Sequence, residues 1–165
     1  MDEKAALRGA WRRLEADYLA FHTLAVNRRL HRVGVPTIAL SVLVALSSAR
    51  YHVLGLELDL ALPILVALCV FYLALELRAA VLADLILVAL YALARLLIEW
   101  LGDGAWLVAG GAFISGWIAQ LAGHALEGNR PAFLQNAQHL WVAPLALAGE
   151  ALRNTVSGTN PPPAQ

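Results

Sequence analysis

The chain has 165 residues, 60% of them hydrophobic and 15% charged, with zero formal net charge and a mean hydropathy of +0.65. Soluble domains carry roughly 25% charged residues, and here the deficit falls in long apolar stretches, as in a membrane protein. The balanced charge argues against a nucleic-acid partner, and Cys69, the single cysteine, excludes an intrachain disulfide or a thiolate metal site.

In chain order, the charged start (Met1 to Arg13) is not followed by the short apolar core and small-residue cleavage site of a signal peptide. Residues 4–21 place Leu7, Trp11, Leu14, Tyr18 and Phe21 at three- and four-residue spacing, which predicts a helix with one apolar stripe, on a membrane surface or capping a bundle. A second helix is expected over about 24–32, with Gly34 and Pro36 punctuating the chain before the first long apolar run.

Four apolar runs follow, at about 35–49, 60–76, 79–98 and 105–123. A straight span needs ~20 residues, with ~17 as a lower limit, so the first run is short. Asp84 and Arg95, inside the third run, lie near its ends and are expected to snorkel or pair. The segment at about 132–152, with Gln135, Gln138, His139 and Glu150, is too polar for a clear span and reads as an amphipathic or re-entrant helix. Basic residues precede the first run (Lys4, Arg8, Arg12, Arg13, Arg28, Arg29, Arg32), while the loop at 99–104 is purely acidic. The N-terminus is therefore expected in the cytoplasm, and four spans would bring residue 124 back to that same side.

Two polar clusters bracket the apolar runs. In His22-x4-Asn27-x3-His31, Asn27 and His31 share a helix face, but His22 is nine residues from His31 and about half a turn out of phase. The two histidines converge only if the chain bends between them, and Thr23 is a candidate N-cap for a new helix there. In the second cluster Gln120, His124 and Glu127 recur at i, i+4 and i+7 on one face, with Arg130-Pro131 beyond. Histidine and carboxylate one turn apart can share a metal, or act as ligand and orienting partner. Both clusters also admit a bland reading, as interfacial polar helix ends facing water. His52 falls in the loop on the other side and reads as an ordinary interfacial residue.

Together these two motifs, H-x4-N-x3-H-x2-G-x-P and W-x2-Q-x2-G-H-x2-E-x2-R-P-A, resemble those of the 2-hydroxy fatty acid dioxygenases. That family was formerly a domain of unknown function, and its fungal member is an endoplasmic-reticulum enzyme of phytosphingosine breakdown. The second motif is carried by Trp117, Gln120, Gly123, His124, Glu127, Arg130, Pro131 and Ala132; Gln138, Pro144 and Glu150 also fit. The likeness spans about residues 17–150. The family often has a proline between its first histidine and the asparagine; Thr23-Leu24-Ala25-Val26 contains none.

The resemblance implies an Fe(II)-dependent α-oxidation in which a 2-hydroxy fatty acid and O2 give the acid one carbon shorter plus CO2. It implies His22, His31 and His124 as metal ligands. Glu127 and Arg130 are the expected catalytic groups, with Asn27, Gln120, Gln138 and His139 around the ligands. The expected fold is an all-α polytopic membrane bundle: about four transmembrane helices plus terminal amphipathic or re-entrant helices, over 1–156, with a disordered tail at 157–165. The expected partners are the fatty acid, O2 and the lipid bilayer; a homo-oligomer is left open. The near absence of lysine beside many arginines is associated with GC-rich bacterial genomes, hence an inner membrane. The alternatives are a non-enzymatic membrane metal or lipid carrier, and a zinc-dependent membrane hydrolase with Glu127 as base.

Overall fold

The computed structural model describes residues 3–128 and 138–157. Helix α1 (Glu3–Ala20) is followed by α2 (Ala25–Ser48), a hairpin of β1 (Arg50–Val53) and β2 (Leu56–Asp59), α3 (Ala61–Leu75), α4 (Leu77–Leu101), α5 (Ala105–Glu127) and α6 (Gln138–Ser157). Among the described residues the regular structure is all-helical apart from that hairpin. The N-terminal stripe behaves as its spacing predicts. Trp11 and Tyr18 are buried, Leu7 and Leu14 pack beside them, and α1 lies against α3 and α6.

Helix α2 is the axis of the molecule, with α5 along one flank and α4 along another. It runs unbroken through Gly34 and Pro36, where the sequence predicted punctuation. Pro36 removes one backbone donor, but in apolar surroundings an interrupted helix would leave more backbone groups unpaired than this single one. Gly34 serves packing instead. A Cβ there would stand 3.0 Å from the Gly116 carbonyl oxygen, and one at Gly116 would stand 2.7 Å from Ile38 Cγ1. One turn pair further on, a Cβ at Gly123 would overlap the Asn27 side chain, 3.1 Å from its Cγ and closer still to its Oδ1. Small residues let these two helix backbones approach closely.

Gly123→Ala is therefore expected to destabilise the protein by about 1–3 kcal/mol, since a packed contact must shift to admit the methyl. Gly110→Ala, where nothing lies within 4 Å, is the control. Thermal melts in which both variants kept the parental Tm would contradict this close approach.

The expectation of four membrane-crossing helices is corrected. Among the described residues two helical stretches are long and apolar enough to cross a membrane, Ala25–Ser48 and Leu77–Glu127. The run at 60–76 yields only the 15-residue α3, about 22 Å at ~1.5 Å per residue, against a ~30 Å hydrocarbon layer. The runs at 79–98 and 105–123 belong to one 51-residue stretch, interrupted by a 3-10 turn at Gly102–Gly104. Gly102 takes φ +52° there, a left-handed conformation that glycine adopts without strain. Only 17% of the most apolar window in that stretch is buried, whereas a soluble core helix is mostly covered.

The hairpin was not foreseen from sequence. Its register pairs Arg50 with Asp59 and Val53 with Leu56, and Leu54 and Gly55 turn the chain with positive φ at both positions. His52 is exposed on it. The hairpin delivers Asp59 to the start of α3, where it accepts hydrogen bonds from Leu62 N (3.0 Å), Tyr91 Oη (2.8 Å) and Arg95 (2.6 Å). Burial raises the Asp59 pKa, but these donors more than offset it and hold the carboxyl below its usual value. Arg95 is thus paired, as expected for a charge near the end of an apolar run. The tail expected at 157–165 falls outside the described residues except Ser157, which closes α6.

Candidate metal centre

The site is built at the junction of α1, α2 and α5. Helix α1 stops at Ala20, and the four residues Phe21 to Leu24 form the bend that the histidine spacing demanded. Leu24, not Thr23, occupies the N-cap position of α2 and makes no side-chain cap bond. The carboxylate of Glu127 on α5 closes this bend from across the helix pair. It accepts from the Leu24 N–H at 2.9 Å and from the Thr23 N–H, the Thr23 hydroxyl and Asn27 Nδ2. A carboxylate beside a helix N-terminus is also favoured by the helix dipole.

The bend turns His22 back onto the face of α2 that carries His31, and α5 supplies His124. The three rings meet edge-on, with centroids 4.3 Å (His22–His31), 5.0 Å (His22–His124) and 4.8 Å (His31–His124) apart. One ligand atom from each lies within 4.8 Å of the others, and all three residues are buried. Nδ1 of His22 faces the Tyr18 carbonyl at 2.5 Å, and Nδ1 of His31 faces the Asn27 carbonyl at 3.0 Å. A carbonyl at Nδ1 fixes the tautomer and directs the Nε2 lone pair away, the usual support of a metal-ligating histidine. Nε2 of His22 and Nδ1 of His124 are buried without a hydrogen-bond partner among the described residues. Burial pushes the His22 pKa down to about 4, so the ring is neutral at pH 7 and keeps its lone pair.

Three buried imidazoles offering ligand atoms within 4.8 Å of one another, two of them with a nitrogen unpaired among the described residues, fit a divalent transition metal. No cation-binding thiolate is present, and Glu127 is already engaged by four donors. These contacts tie α5 to the bend that carries His22. Arg130 lies outside the described residues. Asn27 is fully buried between Glu127 and the Phe21 carbonyl. Gln120 hydrogen-bonds His31 from α5. His139 is buried near Phe21, outside the three-histidine group, and Gln138 is exposed.

Sequence reasoning missed two features. Tyr18 stacks on His22, with ring centroids 3.9 Å apart and planes 17° from parallel; the i, i+4 spacing was the available signal. Glu150 of α6 is buried against Arg28 (3.2 Å) and Arg32 (2.7 Å), while Arg28 also donates to the His22 and Thr23 carbonyls. No local pattern announces a pair so distant in sequence.

From the three histidines a cavity of about 480 Å³ extends along α2 between α3, α5 and α6. Tyr18, Gln120 and His139 line its polar end; Leu43, Leu46 and Ile64 line the far end. From His31 to Leu46 the helix rises roughly 22 Å at ~1.5 Å per residue.

The family model described as Mpo1-like, 2-hydroxy-palmitic acid dioxygenase, matches residues 11–155. The chain belongs to this family. No curated protein and no solved structure matches it. The Mpo1-like match takes in α1 from Trp11 onward, all three histidines, and α6 with Glu150. Tyr18 and the Glu150–Arg28–Arg32 cluster thus fall within the segment that defines the family, alongside the two motifs.

Proposed function

We propose that the protein is a membrane-bound Fe(II)-dependent dioxygenase that converts 2-hydroxy fatty acids to the acid one carbon shorter. One observation carries the reading: a buried three-histidine group stands at the head of a long apolar cavity. Membership of the Mpo1-like family supports the substrate class. Bound to His22, His31 and His124, Fe(II) would supply the redox chemistry with O2 and leave positions open for the oxygens of a 2-hydroxy acid.

The reaction balances without another reductant. The carboxyl carbon leaves as CO2, the former C2 passes from alcohol to carboxylic acid, and O2 takes up the released electrons, yielding water. The chain's own part is to bind and orient. The apolar walls take the acyl chain and exclude water, which strengthens polar contacts at the head. Gln120 steadies His31, and Glu127 holds the bend that presents His22. The basic residues around α1 and the start of α2 support a cytoplasmic position for this end.

The test is metal analysis of anaerobically purified protein together with O2 uptake on 2-hydroxypalmitate. The expected result is bound iron, O2 consumption and pentadecanoate as product. Zinc with hydrolytic but no O2-consuming activity would replace this reading by a hydrolase. Bound metal without turnover of any hydroxy acid would replace it by a metal or lipid carrier.

A further inference from the structure

Two buried tyrosines line the cavity, and they differ in one respect. Tyr72, fully buried on α3, donates its hydroxyl to the Trp141 carbonyl. Tyr18, 2% exposed on α1, has a hydroxyl with no hydrogen-bond partner among the described residues. An unpaired buried hydroxyl is a net loss to the folded state, and such a group persists where it serves something else. Its surroundings narrow the choice. The ring lies flat on His22, and the backbone carbonyl of the same residue holds His22 Nδ1. Tyr18 therefore sits beside the metal-ligand candidates, at the polar end of a cavity whose remainder is apolar.

We propose that the Tyr18 hydroxyl is a substrate-contacting donor that hydrogen-bonds an oxygen of the 2-hydroxy-carboxylate head group. This rests on the fatty-acid reading above and deepens it by naming the residue that recognises the head. A site built around a hydrogen bond rejects an analogue that lacks the partner more strongly than an apolar pocket rejects a change of shape.

Tyr18→Phe removes only the hydroxyl and keeps both the ring stack and the carbonyl contact to His22. The experiment compares parent, Tyr18→Phe and Tyr72→Phe, each as the full chain in lipid nanodiscs. Binding of 2-hydroxypalmitate and of palmitate is measured on iron-loaded protein kept free of O2, then KM, kcat and metal content with O2 present. The expected result for Tyr18→Phe is about tenfold weaker binding of 2-hydroxypalmitate, a matching rise in KM, unchanged metal content and a Tm no lower than the parent. Tyr72→Phe, which breaks a satisfied bond, is expected to lose Tm without a comparable loss of head-group binding.

A loss confined to 2-hydroxypalmitate supports the proposal through the 2-hydroxyl; an equal loss with palmitate supports it through the carboxylate. Unchanged binding of both acids overturns it while leaving the dioxygenase reading intact. Loss of metal in Tyr18→Phe also overturns it, since the residue would then act only through His22. If the parent protein itself binds neither acid, the substrate reading fails and this proposal with it.

Discussion

Alanine in place of His31 or His124 is expected to strip the metal and lower O2 consumption on 2-hydroxypalmitate by more than roughly 100-fold. Removing partners that merely orient ligands commonly costs 10–100-fold, so losing a ligand sets a higher floor. His22→Ala should behave alike, because its Nε2 is one of the unpaired buried nitrogens facing the group. The fold should survive: the rings meet one another at the head of a cavity and do not fill the main apolar core, which is built from α1, α3, α4 and α6. His52→Ala, on the exposed hairpin, is the negative control. His139→Ala should retain the metal, since His139 stands outside the group. Retention of both iron and turnover in His31→Ala and His124→Ala would end the metal-centre reading. Circular dichroism on each variant separates ligand loss from unfolding.

Glu127→Ala is expected to cost about 1–3 kcal/mol of stability and to weaken metal binding at the same time. Its carboxylate is the common acceptor for Thr23, Leu24 and Asn27, joining α5 to the α1–α2 bend. Without it the Asn27 amide, which is fully buried, loses a partner that water cannot readily replace. The same loss loosens the segment that carries His22. Glu127→Gln keeps one acceptor oxygen and should fall between parent and alanine in both Tm and metal affinity. A base acting in chemistry would give a different pattern, with parental Tm and metal content and a selective fall in kcat. Parallel melts, metal titrations and kcat measurements on the two variants distinguish positioning from catalysis.

The helical stripe of α1, the apolar runs and the two polar clusters are periodic and local, so spacing alone exposed them. Spacing also posed the geometric demand at His22: half a turn out of phase with His31, it needed a break, and the break is there at Phe21 to Leu24. Helix continuity was not legible. Pro36 and Gly34 read as stops, yet α2 passes through both, because close packing on Gly116 and apolar surroundings outweigh local preference. The span count failed for the same reason: hydropathy finds apolar residues but does not fix where helices begin, join or fall short.

The sequence by itself determined an apolar helical protein with two polar histidine clusters, and its resemblance to a known family named the three histidines that meet. It brought them together by counting four crossings; the structure brings them together by laying α5 along α2 on the small residues Gly34, Gly116 and Gly123. Only the tertiary structure decided what surrounds them. Glu127 bound to the bend, Tyr18 stacked on His22, and Glu150 buried between two arginines are contacts of particular side chains. Two of them join residues about a hundred positions apart. Periodicity reports which face of a helix a residue occupies; which partner waits there depends on helix packing, and packing is a property of the whole chain.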